Sequence, residues 1–220
     1  MKTITLKSGR EIELNQAFNM DCLEFMKELP DKCIDLVLTD PPYGLPKRSA
    51  KGSGKLKDRN IQGMHEKGWD IKPEKELFDE IIRISKHQII WGWNYFTDHL
   101  PPCRGFLVWQ KKQPWPNFAD CELAFNSIDG VAKSYEYDNR TGDKIHPTQK
   151  PIKLFKWCLS NFTKEDQIIF DPYLGSFTTA VASETLKLNW LGCELDKDYF
   201  ETGYARYEQE TKQQLFDFGG

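Results

Sequence analysis

The sequence lacks the features that mark membrane, secreted and zinc-binding proteins. It contains no hydrophobic run long enough to span a bilayer, and its first residues show no signal-peptide pattern. Its 6 cysteines form no C-x-x-C pair and its 4 histidines make no close pair with them, which argues against zinc and indicates reduced thiols. These absences predict a soluble cytoplasmic protein that holds no metal.

An excess of positive charge is also missing, as is a pyrophosphate-binding motif. The formal net charge is -3, so any surface for nucleic acid has to come from local basic stretches. The pattern G-x-G-x-x-G does not occur, which argues against a ligand with a pyrophosphate group. What the chain does have is length, because its 220 residues, 39% of them hydrophobic, suffice for one good-sized domain with its own core.

The tetrapeptide Asp40-Pro41-Pro42-Tyr43 follows an apolar, β-prone run over Ile34–Thr39. The run predicts a buried strand that the prolines end, and ligands bind at the carboxyl ends of strands in open α/β sheets. The prolines remove two backbone donors and leave carbonyl groups to accept hydrogen bonds. Together with a carboxylate and a tyrosine ring, these groups suit a planar base held by its exocyclic amine. A proline turn that only closes the strand is the simpler alternative.

Two stretches near this tetrapeptide concentrate positive charge. Residues 44–70 contain 5 glycines and 7 Lys/Arg against 3 acids. This composition predicts a mobile basic loop that covers the phosphate backbone of a nucleic acid, with Lys47 and Arg48 in contact with the phosphates. Residues 111–116 mix Lys111 and Lys112 with Trp115, as nucleic-acid contacts often do. A solvated surface loop is the alternative in both places.

The C-terminal half has the β-α-β layout of a nucleotide-binding unit. A strand over 167–170 leads through a turn with Gly175 into a helix that ends near residue 187, and a strand over 190–195 carries Glu194 at its end. A glycine turn admits a ligand at a helix N-terminus, and a strand-end acid can hold two ribose hydroxyls. Without a pyrophosphate motif the expected ligand is a nucleoside such as S-adenosylmethionine. Asp21 ends an earlier strand, where it either caps the next helix or faces this ligand.

Four blocks of sequence together resemble the DNA amino methyltransferases of the permuted β class, in particular small, phage-like members. The blocks are Asp40–Tyr43, His146–Pro151, Phe170–Ser176 followed by Thr178-Thr179, and Gly192–Asp196. The resemblance implies an α/β, Rossmann-like, S-adenosylmethionine-dependent methyltransferase fold, with a seven-stranded mixed sheet and helices on both faces. It implies one domain over 1–220, with the mobile basic loop at 44–70 and a small target-recognition segment at about 112–146.

The function that the resemblance implies is site-specific methylation of N6 of adenine in double-stranded DNA, of the kind found in restriction-modification. The base would be flipped out of the duplex, the Asp40–Tyr43 block (Asp40, Pro41, Pro42, Tyr43) would hold its amine, and Tyr43 would stack on it. Cofactor contacts are implied for Asp21, Cys22, Asp40, Thr148, Lys150, Asp171, Tyr173, Gly175, Ser176, Thr178, Glu194 and Leu195. The DNA contacts that we predict are Lys47, Arg48, Lys111, Lys112, Lys133 and Arg140.

Partners and location follow from the same comparison. A recognition segment this short suggests a relaxed site or a homodimer that shares the reading of DNA. The tail over 213–218 is similar to peptides by which bacterial proteins dock on the replication clamp, although packing on its own domain is an alternative. A bacterial or phage-encoded protein associated with the nucleoid is expected.

Two departures and several rival activities stay open. Phe177 stands where the family usually has glycine, so it either narrows the cofactor site or packs outward, and a binding protein that has lost catalysis is an alternative. Trp93 is a milder departure of the same kind. Aspartate at position 40 favours adenine, while N4 of cytosine is the alternative base. Methylation of carbon 5 of cytosine would need a cysteine nucleophile after a proline, which Pro102-Cys103 could supply. Methylation of RNA or protein is a further alternative, although the related tetrapeptide of those enzymes begins with asparagine where this chain has Asp40.

Overall fold

The computed structural model describes residues 2–45, 71–112, 119–138 and 149–217, with only the backbone for 213–217. The helices of these ranges are α1 (Cys22–Glu28), α2 (Lys75–Ile84), α3 (Ile152–Phe162), α4 (Thr178–Thr185) and α5 (Lys197–Asp217). The strands are β1 (Thr3–Thr5), β2 (Glu11–Glu13), β3 (Gln16–Phe18), β4 (Ile34–Thr39), β5 (Ser85–Trp91), β6 (Leu107–Gln110), β7 (Cys121–Asn126), β8 (Lys133–Glu136), β9 (Ile168–Asp171) and β10 (Asn189–Cys193).

The main sheet of the described residues is mixed and has 8 strands in the order β3-β10-β9-β4-β5-β7-β6-β8. Only β7 runs against the others, pairing antiparallel with both β5 and β6. The α/β fold class predicted from the sequence is confirmed, and the sheet has one strand more than the seven expected. The additional strand is β8, which pairs in parallel with the outer side of β6. The hairpin of β1 and β2 lies apart from this sheet.

The chain changes direction across the sheet between β4 and β9. After β4 the next strand is β5, on one side, while β9 is followed by β10 on the other side. Such a switch point opens a crevice at the carboxyl ends of the two strands, because their connections leave in opposite directions. Asp40 follows β4 directly and Asp171 ends β9, so both acids stand at this crevice.

The helices cover both faces of the sheet. Helices α1 and α2 pack on one face, where Phe25 and Phe78 are buried in one apolar cluster. Helices α3 and α4 pack on the other face, where Phe155 and Phe177 belong to a second cluster. These two layers fix the positions of the strand ends that form the crevice. Among the described residues no helix is both long and apolar enough to cross a membrane.

The bounds of several strands and helices can be compared with those predicted from the sequence. The strand over Ile34–Thr39 has the predicted bounds. The apolar spacing of Leu154, Phe155, Trp157, Cys158 and Leu159 predicts a helix over Ile152–Phe162, and the structure has the same bounds. Asp21 is the N-cap of α1, since its Oδ1 accepts hydrogen bonds from the backbone N–H of Leu23 at 2.7 Å and Glu24 at 3.2 Å. The last helix, expected over 198–213, continues to Asp217.

Candidate active site

Asp40 has partners on both carboxylate oxygens. Its Oδ1 accepts a hydrogen bond from the Tyr43 hydroxyl at 2.6 Å, and its Oδ2 accepts one from Lys150 Nζ at 2.5 Å. Lys150 Nζ also lies 3.0 Å from Glu122 Oε2, and the other oxygen of Glu122 forms an ion pair with Lys111. Asp40, Lys150, Glu122 and Lys111 thus form an alternating series of charges, here named the ionic chain.

The ionic chain is assembled from four separate parts of the sequence. Asp40 follows the parallel strand β4, and Lys111 follows β6, which points the same way. Glu122 stands at the beginning of β7, and because β7 is antiparallel its beginning lies at the same edge of the sheet. Lys150 precedes α3. No local pattern in the sequence identifies Glu122 as a site residue, because its location depends on the direction of β7.

Burial and charge pairing act against each other along the ionic chain. Burial raises the pKa of Asp40 above its usual value, although Lys150 opposes the rise. Burial alone would lower the pKa of Lys150, but Asp40 and Glu122 outweigh it and the pKa is raised. Burial alone would raise the pKa of Glu122, but Lys150 and Lys111 outweigh it and the pKa is lowered. Lys150 and Glu122 are therefore charged at neutral pH.

Tyr43 is held by aromatic neighbours as well as by Asp40. Its ring stacks on Tyr95 with centroids 4.7 Å apart and meets Phe96 edge-on at 6.0 Å. At Gly92, which has φ of 78°, a Cβ atom would lie 2.2 Å from the Tyr43 ring, so only glycine fits there. A flipped base that stacks on Tyr43 in place of Tyr95 requires Tyr95, which is 37% exposed, to move aside.

The other half of the crevice is built from β9, β10 and the turn between β9 and α4. Glu194 Oε2 accepts a hydrogen bond from the Gly175 backbone at 2.8 Å, and its Oε1 accepts one from the Asp196 backbone at 2.9 Å. Asp171 accepts hydrogen bonds from the Tyr173 backbone at 3.0 Å and from Thr179 Oγ1 at 2.5 Å. Burial raises the pKa of Asp171 to about 6.

The residues around Gly175 fit an adenosyl ligand. A Cβ atom at Gly175 would meet only a backbone oxygen at 3.9 Å, so the turn has open space in front of it. A carboxylate offers about four acceptor positions, and the backbone bonds of Glu194 leave capacity for ribose hydroxyls. Near this turn Cys22 is buried against Tyr173, while Leu195 is 68% exposed. The hydroxyls of Ser176 and Thr178 bind each other at 3.1 Å.

Lys150 takes a place that differs from the one implied by the resemblance. The resemblance implies that Lys150, together with Thr148, lies near the carboxylate of the cofactor. The ammonium group of Lys150 lies instead on Asp40 and Glu122, and the side chain is 6% exposed. Thr148 lies outside the described residues.

The side chain of Phe177 packs away from the cofactor site, which is one of the two alternatives predicted for it. Its ring is fully buried and meets the rings of Phe200 and Tyr204 of α5 edge-on, at 5.7 Å and 6.0 Å. Gly203 provides the room, since a Cβ atom there would lie 2.4 Å from the Phe177 ring. The backbone of Phe177 has φ of 61°, the left-handed conformation for which glycine is better suited. The ring therefore lies in the interface with α5 and not in front of Gly175.

Substitution of Phe177 is expected to affect stability more than cofactor binding. Phe177→Ala removes the buried ring and should lower the free energy of unfolding by about 3–5 kcal/mol. Phe177→Gly should lower it by about 1 kcal/mol less, because glycine relieves the strain of positive φ. Urea unfolding of both variants measures the difference. Equal stability of the two variants would contradict the assigned backbone strain.

The lysines predicted to contact DNA do not share one environment. Lys111 is 12% exposed and points into the ionic chain. Lys112 is exposed and pairs with the exposed Glu136, while Lys133 is exposed beside the ring of Phe162. Lys112 and Lys133 thus stay candidates for phosphate contacts. The other predicted contacts, Lys47, Arg48 and Arg140, lie outside the described residues, as does most of 44–70 and much of 112–146.

An α/β sheet with a carboxylate, an aromatic ring and a glycine turn at its switch point is suited to bind a nucleoside ligand. The DNA methylase model of the N6/N4 methyltransferases matches residues 86–205, more than half of the sequence, and the chain belongs to this family. The type II methyltransferase M2.MboI of Moraxella bovis is 25% identical over 240 aligned positions, which cover 87% of this chain and 86% of that protein.

Two crystal structures share the fold. The complex of M1.HpyAVI with S-adenosylmethionine is 21% identical with a TM-score of 0.59, over 87% of this chain and 98% of that one. The cytosine-N4-specific PvuII DNA methyltransferase is 16% identical with a TM-score of 0.63, over 90% of each chain. Because a cytosine-specific enzyme has the same fold, fold alone does not select the target base.

Proposed function

We propose that this DNA methyltransferase transfers a methyl group from S-adenosylmethionine to N6 of adenine at a specific site in double-stranded DNA. The observation that carries the choice of adenine is the carboxylate of Asp40 at the end of β4. In the methyltransferases that the sequence resembles, aspartate at this position favours adenine and serine favours cytosine. Tyr43 and Lys150 each donate a hydrogen bond to a different carboxylate oxygen of Asp40, and each of these oxygens keeps a lone pair for the target amine.

The side chains of the site orient the amino group of the target base and shield it from water. Bound S-adenosylmethionine supplies a methyl group on a positively charged sulfur. Asp40 accepts a hydrogen bond from the amine, which favours a pyramidal nitrogen and frees its lone pair. As the N–C bond forms, the C–S bond breaks with its electron pair going to sulfur, and an N–H proton then leaves to water. Positioning and electrostatics supply most of the acceleration.

The target base has to leave the duplex before it reaches Asp40. Extrusion costs a few kcal/mol. Stacking on Tyr43 offsets about 1–3 kcal/mol of this cost, once Tyr95 has given up its own contact with the Tyr43 ring. On the donor side, Glu194 binds the ribose hydroxyls and Gly175 lies against the ligand. Asp21, the N-cap of α1, faces the adenine of the cofactor.

The test is to identify the methylated base directly. Purified protein is incubated with S-adenosylmethionine and unmethylated DNA, the DNA is digested to nucleosides, and the products are analysed by mass spectrometry. N6-methyladenine is the expected product, and a parallel RNA substrate should stay unmodified. N4-methylcytosine would overturn the choice of base, while the absence of any product from folded protein that binds the cofactor would support the catalytically impaired alternative.

Lys112 and Lys133 are proposed to contact phosphates outside the reacting centre. Replacing both with alanine should weaken DNA binding at every sequence and reduce the slope of log K against log salt concentration by about 2, since each contact contributes about 0.9. Fluorescence anisotropy over a series of salt concentrations measures the slope. Lys197→Ala, at an exposed position of α5, is the matched control. An unchanged slope in the double variant would remove both lysines from the interface.

Two proposals concern partners. A homodimer would supply the recognition surface that the short segment at 112–146 lacks, and sedimentation with and without DNA tests it. Docking of the C-terminal tail on a replication clamp predicts that deleting residues 213–220 abolishes retention on clamp-coated beads. The backbone of α5 is helical to Asp217, so an extended docking peptide would have to unwind the last turn.

A further inference from the structure

We infer that Glu122 is a positioning residue for Asp40 and that it acts through Lys150. The inference rests on the proposed function, in which Asp40 accepts the target amine. Glu122 belongs to none of the four sequence blocks, yet its carboxylate shares the ammonium group of Lys150 with Asp40.

The contacts of Lys150 fix where its charge lies. An ammonium group has three N–H bonds. Lys150 Nζ has three oxygen neighbours, Asp40 Oδ2 at 2.5 Å, Glu122 Oε2 at 3.0 Å and the Tyr43 hydroxyl at 3.2 Å. Since the Lys150 side chain is 6% exposed, water cannot replace the charge contact with Glu122 without entering the site. Without Glu122 the ammonium group would be left to Asp40 and Tyr43.

The charge of Glu122 changes what Asp40 offers to the amine. Glu122 offsets part of the positive charge of Lys150, so Asp40 presents more negative charge to the amine than it would in a pair with Lys150 alone, although Lys111 makes the four groups neutral overall. During the transfer, positive charge grows on the target nitrogen, and a buried negative site stabilises it. Lys111, paired with the far oxygen of Glu122, holds that carboxylate in place.

Other charged or titratable groups also face Asp40. Tyr43 binds it from the same segment, and Asp171 of β9 lies close enough for the two carboxylates to repel each other. Tyr95 lies behind Tyr43. None of these groups contacts Lys150 and Asp40 together except Tyr43, which is uncharged at neutral pH like any tyrosine, and burial raises its pKa further.

Glu122→Gln is the variant that tests the inference, because it removes the charge and keeps an oxygen for Lys150. We expect kcat to fall about ten- to a hundredfold, while KM for DNA and Kd for S-adenosylmethionine change less than about twofold. Asp129→Asn is the matched control, since Asp129 is exposed and pairs with the exposed Arg104. It should leave all three constants unchanged.

A second measurement needs neither cofactor nor DNA. Carbon-13 NMR of protein labelled at aspartate carboxyl groups follows the titration of Asp40, whose signal is identified by its loss in Asp40→Asn. Glu122→Gln should lower the titration midpoint by about one pH unit, because a repelling charge is removed. Lys150→Met should raise the midpoint, because an attracting charge is removed.

Opposite shifts in the two variants, together with the fall in kcat, support the inference. A fall in kcat with an unchanged midpoint in Glu122→Gln would assign Glu122 a purely structural role and overturn it, as would a kcat equal to that of the wild type. Wild-type protein that methylates no base would instead refute the proposed function, whatever the midpoints are, so the two failures are distinguishable.

Discussion

Asp40→Asn is expected to lower kcat for methyl transfer by about a hundred- to a thousandfold. Asparagine has nearly the same shape, but it loses the negative charge and directs an amide N–H₂ toward groups that are themselves donors, Lys150 Nζ and the target amine. Transfer of a tritiated methyl group to DNA measures the rate. Calorimetry with S-adenosylmethionine should give a Kd within about threefold of the wild type, because the donor side of the crevice is built from β9 and β10.

The combination of lost transfer and retained cofactor binding is the informative result. Asp129→Asn serves again as the control, since it removes a carboxylate that is 87% exposed and pairs with an exposed arginine. An Asp40→Asn variant that keeps more than about a tenth of the wild-type rate would contradict the role of Asp40. Loss of cofactor binding as well would show that Asp40 belongs to the donor side.

Lys150→Met is expected to lower the free energy of unfolding by about 3–5 kcal/mol at pH 8, as much as loss of the buried Phe177 ring. It leaves the buried carboxylate of Asp40 without a cation and facing Glu122, which keeps only its ion pair with Lys111. Urea unfolding at several pH values measures the loss. Lys197→Met, at a side chain that is 76% exposed, should cost less than about 0.5 kcal/mol.

The stability deficit of Lys150→Met should shrink as the pH falls. Burial already raises the pKa of Asp40 in the native state, and without Lys150 the pKa rises further. A carboxyl group with a raised native pKa binds its proton before the unfolded chain does, so acidification from pH 8 toward pH 5 favours the native state. A deficit that is constant or grows over this range would contradict the assignment of an unpaired carboxylate at Asp40.

Local patterns in the sequence were sufficient for most elements and for the nature of the site. The apolar run Ile34–Thr39 and the amphipathic stretch Ile152–Phe162 match the structure, because burial of one face depends on neighbouring residues in the chain. The family was also predicted from the sequence, since the four blocks preserve both residue types and order. The assigned contacts with cofactor and DNA stay predictions.

What the sequence could not reveal depends on residues far apart in the chain. A strand over 131–137 is predicted from the sequence, but its place as the eighth strand follows from the pairing of β8 with β6, which no local pattern indicates. Lys111 was predicted to face DNA, but its ammonium group binds Glu122, because β6 and β7 bring the two side chains to one edge of the sheet. The Phe177 ring can pack against α5, away from the cofactor site, only because Gly203 of that helix leaves room for it.

The central claim is that the crevice between β4, β9 and β10 binds the methyl donor. Calorimetric titration with S-adenosylmethionine tests this claim most directly. The wild type should bind one molecule per chain, and Glu194→Gln should bind about ten- to a hundredfold more weakly, because charge-assisted hydrogen bonds to the ribose contribute about 1.5–3 kcal/mol. Absence of heat with the wild type at a cofactor concentration of about 1 mM, or equal affinity in Glu194→Gln, would contradict the account.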